Sequence, residues 1–389
     1  MPPPLLPAKP GIGGINGQQQ IWFGPPRPSS QMDESNTSKR IFDAISNSDL
    51  TELEQILSKS SAGLSSKQKF EICDSFGQTP LIVASKIGCD KIVKFLCDEG
   101  ANIEACDTDG WTPLRSAAFS GHIGALEILV ASGANVNSQL EPLSNGEERS
   151  NGSTPLEAAI INGQLECTKR LVQYGAEVDV CIDNSLGRSV LMTACFHCRL
   201  EIVDYLMGSG ADITKTDQLG RSCLHWLLLS PCEEDDIVQI TNCLIDSGIN
   251  CEIMDNEGMV PLHLAATRGL VQCCELLLEN DCDVDAADNL GRTALFLAAS
   301  QGHEETLRML LFWNASVDAI DAQGWSALSV ASRFGDVSCV EMLLDRGLDE
   351  NHCDNDGSTP LHLAAAGNHV KVCLHFTSQC HLSYFCASI

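Results

Sequence analysis

The chain has 389 residues, 44% of them hydrophobic and 20% charged, with a formal net charge of −28. That charge repels phosphate backbones and anionic lipid surfaces, so neither nucleic acid nor a membrane surface is an expected partner. The sequence has no run of 18 apolar residues and no charged n-region leading into an apolar h-region, so no membrane span and no secretory signal are expected.

Residues 1–38 are Pro-rich, then Gly/Gln-rich, then hold Pro25-Pro26-Arg27-Pro28. This composition lacks material for a core and predicts a disordered tail. Pro4-Leu5-Leu6-Pro7 and Pro7-Ala8-Lys9-Pro10 fit the P-x-x-P pattern of SH3 ligands, with a plain tail as the simpler alternative. Ile21-Trp22-Phe23 is either a docking motif or a segment that folds back on the rest of the chain.

From residue 39 to 376 the chain reads as one elongated array. Ile41, Phe42, Ala44, Leu50, Leu53, Ile56 and Leu57 fit a helix pair that serves as an N-terminal cap. A Gly followed by a Thr-Pro-Leu-like entry then recurs at Gly77, Gly110, Gly152, Gly187, Gly220, Gly258, Gly291, Gly324 and Gly357, with most spacings equal to 33. Asp288-Asn289-Leu290-Gly291 shows the start of a unit, a tight turn in which Gly supplies positive φ. Thr293 caps a first helix, small Ala298 and Ala299 allow close helix approach, and Gly302 ends it. Thr306, Leu307, Met309, Leu310 and Leu311 form the apolar face of a second helix.

A period near 33 with these residues marks a resemblance to the ankyrin repeat family. Thr79-Pro80-Leu81, Trp111-Thr112-Pro113-Leu114, Thr154-Pro155-Leu156, Pro261-Leu262-His263 and Thr359-Pro360-Leu361-His362 carry it, over residues 40 to 376. The resemblance implies an all-α solenoid of stacked helix pairs with turn or hairpin fingers. It also implies binding of protein or peptide ligands, with no catalysis and no small-molecule cofactor.

Three places depart from the period. Residues 138–149 read as a long finger loop, and residues 230–236 as an acidic loop after Pro231 ends the inner helix; each is either a tolerated insertion or a partner-specific finger. The last repeat fits to Ala365, places Asn368 where Gly belongs, and then loses the pattern. It reads as a shortened form of a longer array, with residues 377–389 an irregular tail.

The 20 cysteines follow the frame. Cys97, Cys243, Cys274 and Cys339 fall on second helices, and Cys73, Cys106 and Cys353 beside turns, a scatter that fits a reducing compartment. Cys195-Phe196-His197-Cys198 reads as frame positions, because no second ligand pair suited to zinc lies nearby. His263 and His362 read as structural hydrogen bonders, and no catalytic or nucleotide-binding motif occurs.

In such arrays the ligand face is made by the fingers and the exposed side of the inner helices. The residues after the finger glycines are Gln78, Trp111, Ser153, Arg188, Arg221, Met259, Arg292, Trp325 and Ser358. Variable inner-helix positions add Arg115, Phe119, His225, Trp226, Arg268, Arg333 and Phe334. Trp and Arg are the usual interface anchors, so Trp111, Arg115, Phe119, Arg188, Arg221, Trp226, Arg268, Arg292, Trp325 and Arg333 are the candidate partner-binding residues. Trp226 is either such an anchor or packs against the insertion in its own repeat. Arg188, Arg221 and Arg292 are either an acid-binding set or solvated and locally paired.

Two narrower resemblances bear on role. Residues 310–318 and 343–352 resemble repeats of the ankyrin repeat domain-containing protein 50 family, which implies a cytosolic scaffold in endosomal cargo recycling. Residues 41–228, through Ser153-Thr154-Pro155-Leu156-Glu157-Ala158-Ala159 and Leu191-Met192-Thr193-Ala194-Cys195-Phe196, resemble the Fem family of cullin-ligase substrate receptors. Those receptors carry a cullin-binding box after the repeats, and residues 377–389 are too short for one. The expected location is the cytoplasm, with endosomal association implied by the first resemblance and the nucleus left open.

Overall fold

The computed structural model describes residues 29–59, 70–139, 154–179 and 186–386, which contain 20 helices. The finger loop expected at 138–149, the two P-x-x-P segments and Ile21-Trp22-Phe23 fall wholly or almost wholly outside these residues. Inner helices stack on inner helices (Pro80–Ile87 on Pro113–Ser120, Pro261–Arg268 on Ala294–Gln301), and outer helices such as Asp90–Asp98 and Ile123–Ala131 form a second layer. The core runs between the layers without a break, from Ile41 to Phe376.

Each inner helix begins and ends by the same local chemistry. Thr79, Thr112, Thr154, Thr293 and Thr359 hold extended backbone, and each Oγ accepts the N–H three residues on. Proline follows at the first helical position in four of these, where its missing N–H costs nothing. At the other end Gly269 sits at φ +74, and a Cβ there would lie 2.6 Å from His303 Nδ1 of the next repeat. His303 Nε2 meanwhile donates to the Thr267 carbonyl at 3.0 Å. His122 on Lys86, His369 on Arg333 and Arg199 on Ile161 repeat this cap, each satisfying a carbonyl that the helix end leaves open. Cys198 (φ 50) and Asn368 (φ 62) take the left-handed position without glycine, as their frame positions predict.

The fingers are held by an aspartate three residues before the glycine. Asp288 Oδ1 accepts from Leu290 N and Arg292 N, both at 2.9 Å, while Gly291 N returns to the Asp288 carbonyl. Asp74, Asp107, Asp217, Asp255, Asp321 and Asp354 do the same. Successive fingers are then tied backbone to backbone: Gln218 N to Leu186, Asn256 N to Leu219, Asn289 N to Glu257, Ala322 N to Leu290 and Asn355 N to Gln323. The fingers therefore form a hydrogen-bonded row, with isolated bridges at Ala287–Thr293 and Ile320–Ser326.

His225 and His263 cross-link this row to the helices. His263 Nδ1 accepts from Val260 N at 3.0 Å and Nε2 donates to Ala286 of the next repeat at 2.9 Å. His225 makes the same pair with Ser222 N and the Met259 carbonyl. His225 is thus a wholly buried frame residue and not the variable ligand-facing position expected of it.

Three other expectations change. The first helix spans Ser29–Ser46, so regular structure begins before residue 39; it is anchored by buried Ile41, Ala44 and Ile45. The last helix spans Val370–Cys386, because residues 370–386 contain no Gly or Pro to stop it. The acidic run in repeat five does not loop out. Glu234, Asp235 and Asp236 form the first turn of Glu234–Asp246, where the helix dipole favours them, and Glu234 Oε1 accepts Gln272 N of the next outer helix at 2.7 Å.

Two outcomes test this account. Asp255→Ala leaves the Glu257 and Met259 N–H groups without their acceptor and lowers stability by about 1–3 kcal/mol, read by urea denaturation. Burial lowers His225 and His263 below 6.5, so the folded chain prefers both neutral. Their contribution is complete above 6.5 and is lost as pH falls below it. The urea midpoint falls between about pH 7.5 and about pH 5.5 in the natural chain and falls less in His225→Gln/His263→Gln.

Candidate partner-binding surface

At four fingers the polar end of the residue after the glycine reaches a turn aspartate. Gln78 Nε2 donates to Asp107 Oδ2 at 3.2 Å, and Trp325 Nε1 to Asp354 Oδ2 at 2.9 Å. Arg221 Nε lies 3.7 Å from Asp255 Oδ2. Arg292 closes on its own Asp288, with Nη2 at 2.6 Å and Nε at 2.7 Å. Asp107, Asp255, Asp288 and Asp354 thus hold their turns with one oxygen and face a finger side chain with the other. For Gln78, Arg221, Arg292 and Trp325 this work is structural, whatever else the exposed remainder touches.

Two clusters of arginine and aromatic rings stand on the inner-helix side. In repeat two Trp111 and Phe119 meet edge to face with centroids 5.2 Å apart, and the Arg115 guanidinium lies 5.8 Å from the Trp111 ring. Arg115 is only 2% exposed and donates to the Gly110 carbonyl at 3.2 Å, so it supports the cluster from within. Trp111 and Phe119 remain half-buried.

In repeats four and five Trp226 is the centre. It is 6% exposed, so it is not a free anchor. Its indole N–H donates to Asp217 Oδ2 at 3.0 Å. Phe196 meets it edge to face at 5.7 Å, the Arg188 guanidinium stacks 4.7 Å from its centroid, and Arg221 lies at 5.9 Å. His197 lies edge on to Phe196 at 5.3 Å; burial, then Arg199 and Arg188, hold it below 6.5.

Arg268 is tied to the neighbouring repeat, donating to the carbonyls of Leu228 at 2.7 Å and Cys232 at 3.3 Å. It closes the inner helix that Pro231 interrupts and so is a cap. Arg333 and Phe334 sit together at the end of Ala327–Phe334, with Phe334 56% exposed. The fold therefore gathers Trp111, Arg115 and Phe119 at one point, and Arg188, Arg221 and Trp226 at another. Arg268, Arg292, Trp325 and Arg333 stand apart.

Sequence reasoning passed over the turn aspartates and Phe196. Both left a signal: aspartate recurs three residues before the glycine, and Phe196 shares the slot of Phe119, two residues before the helix-ending position. Met254, Leu290 and Ile320 are further exposed apolar side chains on the fingers.

Among the described residues, no group of His, Cys, Asp or Glu is arranged to hold a metal ion, and no helix is long and apolar enough to cross a membrane. Cys195 is fully buried, as its frame position predicts.

The family model for ankyrin repeats matches residues 41–140, 139–217, 224–321 and 314–381, and the chain belongs to the ankyrin repeat family. Over 107 residues it is 30% identical to human (Homo sapiens) ankyrin repeat and SOCS box protein 16, covering 27% of this chain and 22% of that protein. An ankyrin repeat protein of Rickettsia felis is 36% identical over 83 residues, 21% of each chain. E3 ubiquitin-protein ligase KEG of Arabidopsis thaliana is 34% identical over 74 residues, 19% of this chain and 4% of that one. The chain thus spans no more than 22% of the length of these three relatives.

Because Trp226 is packed and hydrogen-bonded, Trp226→Ala costs about 3–5 kcal/mol locally. Amide hydrogen exchange then speeds up across residues 186–246 before the terminal repeats respond.

Proposed function

We propose that the chain is a non-enzymatic scaffold that binds protein or peptide ligands along its fingers and inner helices. One observation carries this reading: aromatic rings with arginines beside them recur on the inner-helix side, at Trp111–Phe119 and at Phe196–Trp226, above fingers fixed by hydrogen bonds. A rigid frame presenting aromatic and arginine side chains binds with little ordering cost. The −28 charge supports a ligand that is neither nucleic acid nor an anionic membrane. The described cysteines are free thiols, which supports the cytoplasm as its place.

Two narrower roles fall within this reading. Endosomal sorting is supported by the resemblance of residues 310–318 and 343–352 alone. A place in a ubiquitin ligase is supported by the loose Fem likeness, and one matching relative is named as an E3 ubiquitin-protein ligase.

Affinity purification of the full chain with mass spectrometry, set against Phe119→Ala/Phe196→Ala, tests the reading. Both rings are only half-buried, so the variant keeps its fold by circular dichroism and loses its main partners. Cullin subunits among the lost partners support the ligase role, and endosomal sorting components the recycling role. Retention of every partner by the folded variant sinks the reading.

A further inference from the structure

Arg188 lacks the partner that its position takes elsewhere in the array. Four residues in that position reach a turn aspartate: Gln78, Arg221, Arg292 and Trp325. For Arg188 the next turn offers Asp217, but both oxygens there are taken. Oδ1 holds Leu219 N and Arg221 N, and Oδ2 accepts the Trp226 indole at 3.0 Å. Its own finger offers no carboxylate at the equivalent slot, since Asn184 stands three residues before Gly187 where seven other fingers have Asp.

The cause is local to this repeat. The Trp226 slot holds Val83, Ser116, Ala158, Leu264 or Val330 in other repeats, none with a side-chain donor that reaches the turn. Trp226 takes over the carboxylate, and Arg188 lies on the indole face instead, 4.7 Å from the ring centroid and 5.9 Å from that of Phe196. Its Nε is buried without a hydrogen-bond partner, and among the described residues no ion pair involves it. A guanidinium fixed by its face leaves its in-plane N–H groups free to take a carboxylate as a fork.

We propose that Arg188, walled by Trp226 and Phe196, is the docking point for a side-chain carboxylate of a bound peptide. This rests on the reading that the inner-helix face binds peptides. Charge narrows the ligand further. At −28 the chain repels an acidic run, so the motif is a single Asp or Glu among apolar residues, which the adjoining rings of Phe196 and Trp226 accommodate.

The test is selection of a displayed library of random peptides on the full chain, followed by affinity measurement with synthetic, C-terminally amidated copies. Amidation removes the terminal carboxylate as a competing source. Enriched peptides share one acidic residue beside an apolar one. Replacing that acid by its amide weakens binding about tenfold or more, and so does Arg188→Met, which keeps an apolar stem over Trp226. The two changes together weaken it no further than either alone, and Arg188→Lys falls between. Should Arg188→Met unfold, the peptide-side change on the natural chain decides alone. Peptides that bind without an acidic residue, yet are lost on Phe196→Ala, overturn the carboxylate assignment and leave the scaffold reading standing. No enrichment over the bare support overturns both.

Discussion

The array depends on the aspartates at the base of seven fingers, from Asp74 to Asp354. A finger turn exposes backbone N–H groups that no helix or sheet satisfies, and the aspartate before the glycine collects two of them on one oxygen. This fixes the turn, and the fixed turn sets the register in which the next finger hydrogen-bonds to it. The arrangement has a cost, since burial raises Asp321 above 3.8 even with two N–H groups on it. The second oxygen meets a donor or cation at Asp107, Asp217, Asp255, Asp288 and Asp354. The need for that donor explains why polar and aromatic side chains follow the glycines, before any ligand is considered.

The same logic governs the inner helices. Their last carbonyls face the neighbouring repeat, and in four places that repeat completes the helix before it, through His122, His303, His369 and Arg199. The glycine beneath is required because the histidine ring occupies the space a Cβ would take. Where the frame changes, the function is conserved by other means. Repeat five has no such histidine, and Arg268 reaches back to the Leu228 carbonyl from the following repeat. Glu234 extends the same economy to the outer layer by capping Gln272 N.

The frame was legible in the sequence because each of its demands selects few residue types. Left-handed backbone selects Gly, with Cys198 and Asn368 readable as substitutes by position alone. A cap selects Thr, and the core selects Leu and Ala. The ligand face was less legible, because the chemistry that makes Arg and Trp good interface anchors also makes them good internal partners. Arg115 satisfies both descriptions and is buried; Arg268 does likewise and is a cap. Sequence position placed these side chains near the concave side correctly, but could not say which way the polar end turns. That depends on which neighbouring carboxylate or carbonyl is already occupied, a property of two repeats at once. The acidic run at 233–236 misled for a related reason: its charges suggested solvent, whereas at a helix N-terminus they are favoured by the dipole.

The Phe196–Trp226 cluster shows how a variable position becomes distinctive without leaving the frame. Within the frame, a finger donor and a turn carboxylate are matched. Placing Trp at residue 226 adds a second donor for Asp217, and the surplus appears on Arg188. The excess is held in place by the ring that displaced it, so a cation is kept poorly paired and oriented in a strongly acidic chain. An unpaired charge on a mobile stem would be solvated and unspecific; one stacked on an indole has a defined direction of approach. Specificity in such an array therefore arises less from which residues are exposed than from which of them the repeating hydrogen-bond pattern leaves without a partner.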